Sequence, residues 1–354
     1  MRIAFDVGPL SGRPTGVGRY ARELVEALEV RGTDVRRYAV ALRGRTDDSV
    51  ARWRMPAKLV QAAWRRFDRP ALERLVGRVD VVHATNFVLP ALDEAAGVVT
   101  VHDLSYLRDD TFPGGERLRT LVPWSVERAA RVITPTAAVA DEVAAEMDVD
   151  RERISVTHEG VSPLFFGSTP LSDTALEKMG IRRPFALAAG TIEPRKNLPR
   201  LLQAWRRAAD NLGIWTLVLA GPQGWGPDLP ETPGVVLTGW MGDETLPGLL
   251  SAADLFCYPS LYEGFGLPPL EAMAAGTPVI AGDYPCAQEV LGEAARIVDP
   301  LDVDALASAL SQLASDEQSR KSMSFAGRAH AATFTWQSTA TQTLATYEAA
   351  RAGS

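Results

Sequence analysis

Residues 260–280 read SLYEGFGLPPLEAMAAGTPVI, and the fold follows from how this stretch parses. The run LFCYPS leading into it is short, apolar and bounded by turn signals, as a buried parallel strand is. Glu263 then falls just beyond the strand's C-terminal end. Pro268 and Pro269 suit the first turn of a helix, where a missing N–H costs little. LEAMAAG supplies strong helix formers and a stop at Gly276, which puts Glu271 in the first two turns. Both acids are therefore expected to face one crevice, at a strand edge and a helix N-terminus. Open α/β sheets bind ligands there, and free backbone N–H groups favour anions. A phosphorylated ligand is the expected guest.

The chain holds a second junction of the same kind. GTIEPRKN, residues 190–197, lies between the strand-like FALAAG and the helical NLPRLLQAW. Arg195 can grip phosphate oxygens in two places at once while Lys196 acts as a point charge. The pair suits a diphosphate, above all one that gains negative charge as it leaves. GRPTGVGRY, residues 12–20, places glycines between the first strand and its helix, where backbone can approach a phosphate or sugar. Its spacing is not the dinucleotide GxGxxG, and no ribose-binding acid ends the second strand, which argues against NAD. In VHDL, His102 and Asp103 end an apolar strand, so His102 is either structural or a ligand contact. His83 and His158 also end strand-like runs, and His158-Glu159-Gly160 is a further contact or a plain turn.

Short β-rich runs alternate with helical patterns from Arg2 to about Val161 and again from Phe185 onward, which argues for two parallel-sheet domains of Rossmann type. At 354 residues the chain exceeds the roughly 100–200 residues usual for one domain. SPLFFGSTPLSD between them reads as a linker. Thr335 is a plausible N-cap for the last helix. A net charge of -7 gives no reason to expect nucleic acid. The 2 cysteines, Cys257 and Cys286, form no disulfide framework or zinc motif, and a reducing compartment is expected. No signal peptide is read at the N-terminus, and no run reaches the ~18 apolar residues of a spanning helix.

Residues 43–78 depart from this pattern by mixing many arginines with Trp53, Trp64 and Phe67. Such a segment can lie on an anionic membrane, or it can be a surface helix whose aromatic face packs inward; the second reading is preferred. Asp148-Val149-Asp150 and Asp302-Val303-Asp304 have a spacing that hard cations use, but both flank helices, where Asp is a common cap.

Taken together, EGFGLPPLEAMAAGTPVI, GTIEPRKN, TGVGRY, VHDL, TPTAAVADEV and FTWQSTA resemble the GT-B glycosyltransferases of family 4 over nearly the whole chain. EPRKN and HATNFVLPAL look like the bacterial polysaccharide branch. The resemblance implies an α/β GT-B fold with two Rossmann-like domains whose parallel sheets face across a cleft. An acceptor domain would span 1–165, a linker 166–183 and a nucleotide-sugar domain 184–335, with a helix at 336–354 crossing back to the first domain. It implies a retaining transfer of a hexose, mannose favoured, from a nucleoside-diphosphate sugar such as GDP-mannose to a glycan, lipid-linked or small-molecule hydroxyl. Glu263 would meet the donor sugar, and the amides of Gly264, Phe265, Gly266 and Leu267 the sugar or diphosphate. Glu271 would hold the ribose hydroxyls, and Arg195 and Lys196 the diphosphate. Gly16 and Gly18 would close on it from the other domain, and His102 would lie by the donor sugar and acceptor. His102, Glu263, Arg195 and Lys196 form the implied catalytic set. Neither a cofactor nor a metal is implied. The expected partners are a nucleotide sugar and an acceptor, without nucleic acid, in the cytoplasm, with residues 52–70 as the place of any peripheral contact with an anionic membrane. A non-catalytic sugar-nucleotide sensor and a GT-B epimerase remain alternatives.

Overall fold

The computed structural model describes residues 1–11, 15–42 and 49–353. The chain forms two compact units, Met1–Gly160 with Thr335–Ser354, and Val161–Phe334. In the first, β1 (Arg2–Asp6), β2 (Asp34–Val40), β3 (Ala51–Trp53), β4 (Val81–Ala84), β5 (Ala96–Thr100), β6 (Arg131–Thr134) and β7 (Ile154–Val156) build one sheet. Its order is β3-β2-β1-β4-β5-β6-β7 and every pairing is parallel. Parallel strands need crossovers, and helices on both faces bury them, which is why β4 and β5 are buried throughout. The chain builds outward from β1 in one direction and from β4 in the other, so the topological switch point lies between β1 and β4.

The C-terminal helix Trp336–Ala352 belongs to this unit. Its Trp336, Ala340, Tyr347 and Ala350 join Ile3, Phe5, Val98 and Ile133 in one core, and burying each large apolar side chain is worth about 1.5–3 kcal/mol. Thr335 caps the helix by accepting from Ser338 N at 3.2 Å. The Thr339 hydroxyl donates to the His158 carbonyl at 2.7 Å.

The second unit holds β8 (Phe185–Ala189), β9 (Thr216–Ala220), β10 (Val235–Gly239), β11 (Leu255–Tyr258), β12 (Val279–Gly282) and β13 (Arg296–Val298). They are parallel in the order β10-β9-β8-β11-β12-β13. Here the switch point falls between β8 and β11. Helices Leu198–Arg207 and Val303–Ser315 cover one face through Leu201, Leu202, Trp205, Leu306 and Leu310.

One expectation changes and two preferred readings hold. Residues 166–183, read as a linker, lie inside the second unit and carry a helix, Asp173–Lys178. Leu171 N bonds the Gly248 carbonyl at 3.0 Å, and Leu176 and Ile181 are buried, so the segment is packed. In 43–78, of which 43–48 lie outside the described residues, Trp53 sits in β3, and Trp64 of the helix Ala57–Phe67 is buried against it, with Ala91 and Trp124 in the same cluster. The Asp-x-Asp pairs serve as caps: Asp302 Oδ1 accepts from Asp304 N and Ala305 N, and Asp150 Oδ1 accepts from Glu152 N.

Candidate active site

The switch point of the second sheet is where the sequence-predicted residues converge. The turn after β8 becomes a short 3-10 helix, Pro194–Lys196, closed by Asn197 at φ 56°. Asn197 anchors it by donating to the carbonyls of Pro259 and Pro300 at 3.1 and 2.7 Å. Beside it, the loop after β11 delivers Glu263. Lys196 Nζ donates to Glu263 Oε1 at 2.7 Å and to the Tyr258 hydroxyl at 2.5 Å, and lies 4.5 Å from the centre of the Tyr258 ring. Arg195 donates to Glu263 Oε2 and, at 3.2 Å, to the Tyr262 carbonyl. Its Nε is ion-paired with Glu193 at 2.6 Å.

This cluster is dry: Glu193, Lys196 and Glu263 are 5–8 % exposed. Burial alone would raise the Glu263 carboxyl, but Arg195 and Lys196 outweigh it and hold it at about 2. Burial, and then Arg195, pull the Lys196 ammonium below its ordinary value, against Glu263 and Glu193. Burial and the neighbouring Glu263 push the Tyr258 phenol well up.

The turn Gly264-Phe265-Gly266 leads into the helix Leu267–Ala275. Gly266 stands at φ 99°, and a Cβ there would lie 2.8 Å from the Tyr284 hydroxyl, so only glycine fits. Cys286 Sγ donates to the carbonyls of Glu263 and Phe265 at 3.2 and 3.5 Å, pinning the turn. Pro268 and Pro269 bring no N–H, so the amides this helix start offers a ligand are those of Gly266 and Leu267. Glu271 follows in the same helix and is 2 % exposed. Gly190 backs Lys196, and a small cavity there is lined by Gly190, Thr191, Lys196, Gly221 and Tyr258.

In the first unit, Gly16 and Gly18 form the first turn of the helix Gly16–Val30 and not a loop before it; Gly12 to Pro14 lie outside the described residues. Thr15 caps this helix by accepting from Gly18 N at 3.1 Å. A Cβ on Gly18 would press on the Pro9 carbonyl at 3.2 Å, whereas one on Gly16 would meet open space. His102 uses both ring nitrogens within its own unit. Nε2 lies 2.8 Å from the Thr85 carbonyl, so it carries the proton and donates, and Nδ1 faces Glu159 at 3.4 Å. The Tyr20 ring stands edge-on to it at 4.7 Å. His83 is structural: its nitrogens meet the Tyr347 and Thr100 hydroxyls at 2.7 and 2.8 Å, and burial drives its pKa down to about 3.

Sequence reading missed four members of these clusters. Glu193 lay inside the quoted EPRKN, and an acid beside two cations at a buried turn was the available signal. Glu159 sat in the noted HEG turn without a partner. Tyr258, ending β11, looked like one more apolar strand residue. GPQGWG, residues 221–226, was passed over although its glycines let it lie against the backbone of 190–193: a Cβ at Gly221 would stand 1.8 Å from the Gly190 carbonyl oxygen, and one at Gly226 2.8 Å from that of Ile192.

Two family models match the chain: Glycosyltransferase Family 4 over residues 14–163 and Glycosyl transferases group 1 over residues 174–330. An O-antigen chain mannosyltransferase B from Escherichia coli is 30% identical, with 98% of this chain and 100% of the relative covered. An MMP alpha-(1->4)-mannosyltransferase from Mycolicibacterium hassiacum is 33% identical over 62% of this chain and 54% of its own. Among solved structures, HepE of Anabaena in complex with UDP-glucose superposes with a TM-score of 0.74 at 19% identity, covering 98% of this chain and 99% of that one; at that identity the likeness speaks for the fold. The chain therefore belongs to the family 4 glycosyltransferases of GT-B fold, and it is a glycosyltransferase.

Proposed function

We propose that the protein transfers mannose from GDP-mannose to a sugar hydroxyl, with retention of the anomeric configuration and without a metal. The relatives named as mannosyltransferases favour the sugar, and they do not favour the sensor and epimerase readings. The observation that carries the mechanism is the cluster of half-buried Arg195 with buried Lys196 and Glu263 beside the start of the helix Leu267–Ala275.

Lys196 is a buried cation whose ammonium burial and the neighbouring Arg195 disfavour, so added negative charge beside it is favoured. A diphosphate supplies that charge, and supplies more of it as the bond to the sugar breaks. Arg195, Lys196 and the amides of Gly266 and Leu267 then stabilise the leaving group more than the ground state. With its pKa near 2, Glu263 stays ionised at any working pH. It accepts hydrogen bonds from the donor sugar and does not act as an acid. The departing phosphate, on the same face of the sugar, takes the acceptor's proton, which gives retention. Glu271 is assigned the ribose hydroxyls. Two protein cations at the diphosphate take the part a divalent ion would otherwise play.

Incubation with GDP-mannose should release GDP and mannose slowly without acceptor, unaffected by a chelator, and a coupled product should carry the α-anomer. Release from UDP-glucose alone would overturn the donor, loss of turnover with the chelator the metal independence, and a β-linked product the retention.

The surface around the helix Ala57–Phe67 gives the acceptor reading a second arm. Trp53 and Trp64 face inward, and the exposed set is Met55, Leu59 and Phe67 with Arg54, Lys58, Arg65, Arg66 and Arg69. The nearby Asp68 is ion-paired with Arg128 at 2.6 Å. Such a face fits an anionic bilayer, at about 1 kcal/mol per cation, and would bring the enzyme to a lipid-linked acceptor. Flotation with phosphatidylglycerol vesicles should be lost when Arg65 and Arg66 are both changed to Glu; binding indifferent to that change or to salt would reject the contact. Among the described residues no helix is long and apolar enough to cross a membrane.

A further inference from the structure

The first sheet has a switch point of its own, between β1 and β4, and its chemistry has no role in the donor site. Asp6 ends β1 there. Its Oδ1 accepts from Gly8 N at 2.8 Å, and among the described residues its carboxyl makes no other hydrogen bond and pairs with no cation. The edge around it is rigid. The Thr85 hydroxyl, at the end of β4, donates to the Asp6 carbonyl at 2.9 Å, and the Thr85 carbonyl accepts from His102, just beyond β5. Three adjacent strands are thus tied at their C-terminal ends. His102 is engaged at both nitrogens and the Asp103 Oδ1 is taken up by Ser105 at 2.9 and 2.6 Å, whereas the carboxyl of Asp6, at the switch point itself, keeps spare acceptor capacity.

A carboxylate set among apolar strands without a cation is costly to keep. Burial pushes this one up to about 6, and it remains partly exposed, within reach of a ligand. Proteins carry such groups where a ligand completes them. The position is also the one where open parallel sheets bind ligands, and the first turn of the helix Gly16–Val30, open above Gly16, follows β1.

We propose that Asp6 is the acceptor-binding carboxylate, taking hydrogen bonds from vicinal hydroxyls of the sugar that receives the transferred residue. An ionised carboxylate has room for two hydroxyl donors besides Gly8 N. It orients the attacking oxygen and accepts no proton in the reaction, since the proton leaves with the diphosphate. This role rests on the donor site assigned above, and the test keeps the two apart.

The measurement is the partition of GDP-mannose between hydrolysis and transfer to methyl α-mannoside. Asp6→Asn keeps an oxygen for Gly8 N and so preserves the fold, which a thermal melt checks. It should lower the transfer-to-hydrolysis ratio about ten- to hundredfold, the worth of a hydrogen bond to a charged group. Asp6→Glu, which keeps the charge, should restore part of it. An unmoved ratio in Asp6→Asn would overturn the assignment. So would a wild-type protein that hydrolyses GDP-mannose but never transfers to the glycoside, because the crevice should hold a simple diol. Absence of hydrolysis in the wild type would be a failure of the donor site instead.

Discussion

The two units carry sheets of one topology, and each places an acid at its switch point, yet the two acids titrate in opposite directions. Glu263 lies between Arg195 and Lys196 and is held at about 2, below its ordinary 4.5. Among the described residues Asp6 has only the Gly8 amide, and it is pushed from 3.8 to about 6. Burial raises both; the presence or absence of cations decides the sign. The scaffold fixes where a ligand goes, and the loops after the strands decide what it is. An edge that carries cations beside its acid suits a diphosphate, and a carboxylate with no cation among the described residues suits hydroxyls.

Lys196→Ala should sharpen this contrast most. It removes the charge proposed to meet the leaving diphosphate, and donor turnover should fall about 10²–10³-fold with the fold retained. Near-normal turnover would break the assignment of that edge. The next effect is on stability. Glu263 has a folded pKa below its unfolded one, so its contribution is present above pH 4.5 and lost as pH falls through about 2. The shift corresponds to about 3 kcal/mol. Acid melts of Glu263→Gln should lack most of that loss between pH 4.5 and 2; a curve parallel to wild type would mean the cluster is weaker than its geometry. Asp6 runs the other way, its contribution present below pH 3.8 and lost as pH rises through about 6. Asp6→Asn should therefore melt higher than wild type at pH 8 and converge with it near pH 4.

Tyr347→Phe tests the support under the first edge. It leaves His83 Nδ1 without its partner at 2.7 Å, which should cost about 1–3 kcal/mol in a denaturant titration. No loss would show that the C-terminal helix holds by apolar packing alone. Gly16→Ala is the smallest. Its Cβ meets open space in a helical turn, so stability should hold or rise by about 0.5–1 kcal/mol. A drop in turnover at that position would then report ligand approach and not misfolding.

Much of the donor edge was legible because each part is local. A strand, a turn and a helix start are adjacent in sequence, so EPRKN and EGFGLPPLE announce themselves by spacing. Glu193 escaped because its partner Arg195 lies two residues away, where no helical or strand period flags an ion pair. His102 was legible as a position but not as a chemistry: its partners, Thr85 and Glu159, come from other strand ends. Asp6 ends what reads as an ordinary strand, and only the order β1-β4 shows that this end lies at the switch point.

By itself the sequence determined the alternation of strand and helix, the capped helix starts and the cation pair beside Glu263, because these depend on neighbours along the chain. The tertiary structure decided which acid is compensated and which is not, that Trp64 faces inward, that 166–183 is packed, and that the last helix completes the first core. Each of these depends on burial and on charges brought from distant positions, and those exist only once the strands have been ordered.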